Sequence, residues 1–288
     1  MKLVSFTHEG RDAVGLLRAD RLIDLSPLKG RFSGTLKNLL LNGGAGELQD
    51  TDVDSLPVLS LAQIRFQPVI TDPGKILCIG INYATHMKEA GRAIPQYPMV
   101  FTRFADSQVG HNEPLLRPRN SIQFDFEGEL AVVIGRPAHH VKEADALNVV
   151  AGYSCYNDGS LRDWQRHTSQ FTPGKNFPQT GGFGPWLVTA DEIADPSKLH
   201  LQTRLNGEVM QDTDTSDMIF SVSKLIEYCS SFTPLAPGDV LITGTTGGVG
   251  AFRQPPVWMK PGDVVEVEIS GIGTLRNTVA DESSWDRS

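Results

Sequence analysis

Three carboxylates in two short segments carry the first chemical signal. In Phe124-Asp125-Phe126-Glu127-Gly128-Glu129-Leu130-Ala131-Val132-Val133-Ile134, two glutamates flank one glycine. Side chains alternate along a strand, so Glu127 and Glu129 face the same way. Phe126, Leu130, Val132 and Ile134 are then expected together on the opposite, apolar face. Two carboxylates that close repel, and both stay ionised cheaply only with a cation between them. Alone, an E-x-E pair more often marks a solvated strand face. The third carboxylate shifts the balance: Asp158 ends the apolar run Tyr153-Ser154-Cys155-Tyr156-Asn157. Two glutamates and an aspartate make an all-oxygen set, which suits Mg²⁺, Mn²⁺ or Ca²⁺ rather than Zn²⁺. Three protein ligands leave positions for water or substrate.

A second group lies in Ile79-Gly80-Ile81-Asn82-Tyr83-Ala84-Thr85-His86-Met87-Lys88-Glu89-Ala90-Gly91. A strand ending near Ile81 and a short helix over Tyr83–Ala90 put His86 and Glu89 on one helix face. A carboxylate beside an imidazole fixes its tautomer and raises its basicity, as a general base requires. Arg162 and Gln165 follow Asp158, and a helix over Asp158–Arg166 would bring both near the carboxylates. There Arg162 could clamp a carboxylate in bidentate fashion. Lys175 stands in a Pro-Gly-Lys loop. The stretch Thr243-Gly244-Thr245-Thr246-Gly247-Gly248-Val249-Gly250 lacks the Gly-Lys-Ser/Thr of a phosphate loop. It reads as a turn offering backbone N–H groups and the Thr245 hydroxyl to an anionic ligand. His139 and His140 read as exposed.

The elements that must position these groups are mostly strands. Residues 1–70 read as a small α/β unit, with strands at Lys2–Phe6, Val14–Leu17 and Arg21–Leu25 and a helix at Thr35–Asn42. A turn-rich stretch over 69–74 marks the boundary. Residues 71–288 carry strands at Lys75–Ile81, Glu127–Gly135, Val149–Asn157, Pro185–Thr189, Leu199–Asn206, Asp239–Thr243, Asp263–Ile269 and Thr274–Val279. A helix at Ser221–Ser231 shows apolar spacing. Pro-Gly-Asp-Val occurs at 237–240 and 261–264, each a tight turn entering a strand. Many strands and few helices point to a mixed β roll rather than a doubly wound sheet.

The net charge of −8, with no basic run, argues against nucleic acid and anionic membrane as partners. No apolar run reaches the roughly 18 residues of a membrane span. Cys78, Cys155 and Cys229 form no C-x-x-C pair and read as buried, reduced thiols. With no apolar N-terminal h-region, the expectation is a cytoplasmic protein.

Four segments together resemble the fumarylacetoacetate hydrolase family: Gly-Ile-Asn-Tyr-Ala-Thr-His-Met-Lys-Glu at 80–89, Asp-Phe-Glu-Gly-Glu-Leu-Ala-Val-Val-Ile-Gly at 125–135, Gly-Tyr-Ser-Cys-Tyr-Asn-Asp at 152–158 and the 243–250 loop. The resemblance spans residues 71–280. It implies a mostly β fold with some α, a mixed β-sandwich roll behind a small N-terminal domain, and a homodimer. It implies metal ligands at Glu127, Glu129 and Asp158, and a catalytic set of His86, Glu89 and Lys175. It implies substrate contacts at Arg162, Gln165 and Thr245, with Tyr83 counted among them. Met99, Phe101, Arg103, Trp164 and Phe177 are further candidate walls. Departures fall at Ile81, where smaller members carry arginine, at Thr246, where the family loop often carries proline, and after Lys175. The expected activity is metal-dependent C–C hydrolysis of a 2,4-dioxo acid to pyruvate and a carboxylic acid. Decarboxylation of oxaloacetate ranks second and hydration or isomerisation of a 2-oxo-enoate third. A non-catalytic oxo-acid-binding protein is the reading from another class.

Overall fold

Every residue of the run Gly128–Ile134 is buried, and the run forms a strand at the centre of the molecule. Its two faces pack into two cores. Leu130, Val132 and Ile134 join Leu77, Tyr153, Leu225 and Leu241. Ala131 and Val133 join Leu3, Leu16, Phe183 and Ile242. A one-sided strand was expected; a strand covered on both faces is found, as its unbroken apolar run allows. Phe126 leaves the expected face and packs with Phe124, Leu161 and Met259 in a third core.

The chain is described by a computed structural model over residues 1–30, 34–89, 91 and 93–282. Its main sheet runs, in spatial order, Val58–Leu59, Arg21–Asp24, Arg11–Arg18, Lys2–His8, Gly181–Thr189, Val150–Asn157, Gly128–Ile134, Val240–Thr245, Ile76–Gly80 and Met99–Thr102. A five-stranded sheet orders Glu208–Asp214, His200–Leu205, Val264–Ile269, Gly273–Asp281 and Leu115–Arg117. Leu201, Val267 and Leu275 of this sheet pack into the first core. The sheets stay open, so the molecule is mostly β with some helices, rolled but not closed.

The boundary expected near residue 70 falls inside a continuous sheet. Lys2–His8 pairs antiparallel with Gly181–Thr189, and Val69 and Ile70 of the expected linker are 1% and 0% exposed. The Ser221–Ser231 helix forms at Val222–Phe232, with Ser221 accepting from Lys224 N at its N-cap. Both Pro-Gly-Asp-Val turns hold their glycines at positive φ, +84° at Gly238 and +91° at Gly262. The helix expected over Asp158–Arg166 is mostly absent. Ser160–Leu161 pairs instead with Phe124–Asp125, and only Arg162–Gln165 is helical.

Candidate active site

Strand register brings the carboxylates together. Gly128 pairs with Asn157, and Glu129 pairs with Thr245 on the other side. Asn157 Oδ1 accepts from Glu127 N at 2.9 Å, and Asp158 N donates to Glu127 O at 2.8 Å. These backbone locks place oxygen atoms of Glu127, Glu129 and Asp158 within 4.8 Å of one another. All three residues are buried. Gly128 is required between the glutamates: a Cβ there would lie 2.0 Å from Thr203 Oγ1 of the second sheet.

The charges around this triad are uneven. Lys175 Nζ donates to Glu127 Oε2 at 2.5 Å and to Asp158 Oδ2 at 2.6 Å. Arg103 Nη1 donates to Asp158 Oδ1 at 2.6 Å. Arg162 Nη2 lies 2.6 Å from Glu127 Oε1, and its Nε donates to Asp125 Oδ2 at 2.8 Å. Four buried carboxylates (Asp125, Glu127, Glu129, Asp158) thus face three buried cations (Arg103, Arg162, Lys175). Burial pushes the Glu127 carboxyl up, but Arg162 and Lys175 outweigh it and hold the pKa at about 2. Among the described residues Glu129 makes no ion pair, only a hydrogen bond from Gly244 N. Burial, then Asp158 and Glu127, push its pKa well above the ordinary range. Burial works against the Lys175 charge, yet Asp158 and Glu127 outweigh it and keep the ammonium protonated. A divalent cation among these oxygens would remove the repulsion that falls on Glu129. The donor set therefore fits a hard divalent ion.

The His86 pair sits on the helix Ala84–Glu89. His86 Nδ1 lies 3.2 Å from Glu89 Oε2, and Gly248 N donates to Glu89 Oε1 at 3.1 Å. Gly91, at φ +61°, follows the helix; its expected last residue, Ala90, lies outside the described residues. Between strand and helix, Ile81 takes φ +55°, rare for a β-branched residue.

A cavity of about 440 Å³ joins the two groups. His86, Glu127, Glu129, Arg162, Gln165, Lys175 and Thr245 all line it, between apolar walls at Met99, Phe101 and Phe171. Several expected roles change. Tyr83 is 0% exposed and away from the cavity wall, so it is not placed to bind substrate. Arg103, Trp164 and Phe177 are not walls either. Arg162 is committed to Asp125, Glu127 and, through Nη1, Gln165 Oε1 at 2.9 Å. It braces Glu127 and Asp125 rather than standing free for a substrate. Thr245 Oγ1 donates to Gly128 O at 2.9 Å and accepts from Gln211 Nε2 at 2.8 Å. The loop's N–H groups do meet anions, but these are the protein's own. Gly244 N donates to Glu129 at 2.6 Å, and Gly250 N and Ala251 N donate to Asp125 at 2.8 and 2.9 Å.

The sequence alone does not point to Asp125 or Gln211 as site residues, and Arg103, expected as a wall, is paired by the structure with Asp158. An aspartate between two phenylalanines was a signal for a buried, paired acid. Gln211, 1% exposed, accepts from Gly128 N and donates to Thr246 O, tying the strand of the two glutamates to the loop. No local pattern announced it.

A mostly β roll thus holds a buried oxygen triad and a His–Glu pair near one cavity. Residues 75–280 match the family described as fumarylacetoacetate (FAA) hydrolase C-terminal, and the chain belongs to that family. It is similar to the mitochondrial oxaloacetate tautomerase FAHD2A of Bos taurus, 40% identical over 97% of this chain and 91% of that protein. It is also similar to the mitochondrial oxaloacetate tautomerase fahd2 of Xenopus laevis, 44% identical over 97% and 90%. Among solved structures, a fumarylacetoacetate hydrolase from Exiguobacterium antarcticum superposes with TM-score 0.87 at 35% identity, covering 98% of this chain and all of that one. A maleylpyruvate hydrolase from Sphingobium sp. SYK-6, solved with manganese(II) and pyruvate, gives TM-score 0.82 at 25% identity over 98% and 100%. These relatives are enzymes of oxo acids, and the chain is an enzyme of the same family.

The cytoplasmic expectation is overturned by the mitochondrial relatives. It rested on a missing h-region, which concerns secretion only. Among the described residues no helix is long and apolar enough to cross a membrane.

Proposed function

We propose that this enzyme moves a proton at the carbon beside the carbonyl of a 2-oxo dicarboxylic acid, interconverting keto and enol forms as in oxaloacetate. The observation that carries the reading is the shared cavity, with His86 and the Glu127–Glu129 pair on its wall. We rank proton transfer ahead of the C–C hydrolysis expected from sequence, and similarity to oxaloacetate tautomerases over 97% of this chain supports that order.

Glu127, Glu129 and Asp158 would hold Mg²⁺ or Mn²⁺, with Ca²⁺ also admitted by the oxygen set, and the ion would supply Lewis-acid polarisation of the substrate oxygens. The chain's own residues do the rest. Glu89 accepts from Nδ1 of His86 and leaves Nε2 to exchange the proton at the substrate carbon. As the C–H electron pair moves onto the carbonyl oxygen, Lys175 offers a fixed, buried positive charge. Phe101 and Phe171 supply apolar wall to the cavity. Arg166 lines the same cavity, is exposed and has no ion-pair partner among the described residues. That free cation favours a substrate with a second carboxylate.

Hydrolysis stays as a second reading because the maleylpyruvate hydrolase shares the fold across the chain. We also keep the homodimer within this proposal. Exposed Tyr97, Phe104 and Phe232 near the open edge strand Met99–Thr102 support it, and sedimentation at twice the monomer mass is the expected result.

The test follows enol and keto oxaloacetate by ultraviolet absorbance, and pyruvate release from acylpyruvates, with Mg²⁺, Mn²⁺ or EDTA. Tautomerisation that stops with EDTA and falls roughly 10²- to 10⁴-fold in His86→Ala is expected. Full activity in that variant, or full activity after chelation, sinks the reading. Acylpyruvate cleavage without tautomerisation would select hydrolysis.

A further inference from the structure

The six-residue helix carrying His86 and Glu89 is too short to hold itself in place. Its anchors come from distant parts of the chain. At its start, Thr85 N and Thr85 Oγ1 both donate to Asp217 Oδ2, at 3.1 and 2.6 Å. Asp217 ends the short 3₁₀ turn Thr215–Asp217, so a remote aspartate takes the capping position that no neighbouring residue fills. Thr85 Oγ1 also lies 2.9 Å from Thr246 Oγ1, a side chain only 2% exposed. At the other end Gly248 N binds Glu89. Thr246 O in turn accepts from Gln211, whose other amide atom holds Gly128 between the two glutamates. Below the helix, Asn82 Nδ2 donates to Thr243 O and Phe220 O.

We infer that Thr246 and Asp217 are positioning residues: a hydroxyl–carboxylate clasp through Thr85 fixes the proton-transfer helix against the loop that serves the metal-binding carboxylates. With Asp217 accepting both Thr85 donors, Thr85 Oγ1 is the acceptor for the Thr246 hydroxyl. One chain of hydrogen bonds thus runs from the loop to the cap of the helix. Its loss leaves the oxygen triad intact and lets His86 and Glu89 drift from the floor. This inference rests on His86 as the proton-transfer group, but its physical core does not depend on any substrate.

The test compares Thr246→Val, Thr246→Ser, Asp217→Ala and Thr85→Val. Thr85 is exposed on the helix, so its variant keeps the buried core. Hydrogen–deuterium exchange of the peptide over residues 84–89 should quicken roughly fivefold in the Val and Ala variants, as for one lost hydrogen bond, and return to normal in Thr246→Ser. Tautomerase kcat should fall roughly 10- to 100-fold with KM and the calorimetric Mn²⁺ affinity unchanged. Unchanged exchange in Thr85→Val and Asp217→Ala overturns the clasp. Faster exchange with unchanged kcat overturns the positioning role. If His86→Ala keeps full activity while exchange responds as expected, the proton-transfer reading fails and the clasp stands.

Discussion

Lys175 is a buried cation shared by two carboxylates that a divalent ion would also claim. It would therefore oppose metal entry while serving the proposed reaction. Lys175→Met should bind Mn²⁺ roughly tenfold more tightly or better, since a nearby positive charge is removed from a poorly screened site. The same variant should lose nearly all turnover. Calorimetric titration alongside activity checks both halves, and weaker Mn²⁺ binding would contradict the competition. At this scale the sequence showed the acids better than their partners. Glu127, Glu129 and Asp158 could be paired because their segments carry alternation and a strand end. Arg103 could not, because its contacts to Asp158, Gly159 and Thr180 come from tertiary packing.

Among the elements, the central strands were legible from unbroken apolar runs, and the Val222–Phe232 helix from its spacing and serine cap. The Asp158–Arg166 helix was misread because Ser160–Leu161 earns two strand pairings there before any helical turn forms. The Glu208–Asp214 strand went unread although Asn206-Gly207, with φ of +53° and +81°, is a strong hairpin signal. Its polar residues masked it. Gly128 is where element geometry meets site chemistry. Gly128→Ala should cost about 1–3 kcal/mol by overpacking against Thr203. Adding Thr203→Ala removes the oxygen at 2.0 Å and should restore much of that loss. Chemical denaturation of the single and double variants measures it; a double variant as unstable as the sum would show that the clash is not with Thr203.

For the molecule as a whole, residues 1–70 and the body share one sheet. His111 lies on this seam, its ring edge-on to Phe66 at 4.9 Å and 82°. Its Nδ1 accepts from Arg276 N at 3.1 Å, which requires the neutral ring. Burial first, then Arg276, lowers its pKa from 6.5 to about 4. The folded value lies below the unfolded one, so this histidine contributes stability above pH 6.5 that is lost as pH falls toward 4. The loss amounts to about 3 kcal/mol at most, at roughly 1.4 kcal/mol per pH unit. Thermal melts at pH 7 and pH 4.5 should therefore show a smaller drop for His111→Gln than for the native chain. Equal drops would remove His111 from the account.

The pairing of Lys2–His8 with Gly181–Thr189 also has a meaning in time. A chain emerges from the ribosome N-terminus first, at about 5–20 residues per second. The strand Lys2–His8 has its hairpin partner Arg11–Arg18 at once and Arg65–Phe66 soon after, yet Lys2 and Leu3 on its other edge must wait until Leu187 and Val188 have been made. For on the order of ten seconds at that rate, Leu3 and Leu16 have no Phe183 or Leu187 to cover them. Newborn chains of this enzyme thus pass through a sticky adolescence, and their yield in a cell should track the supply of holding chaperones.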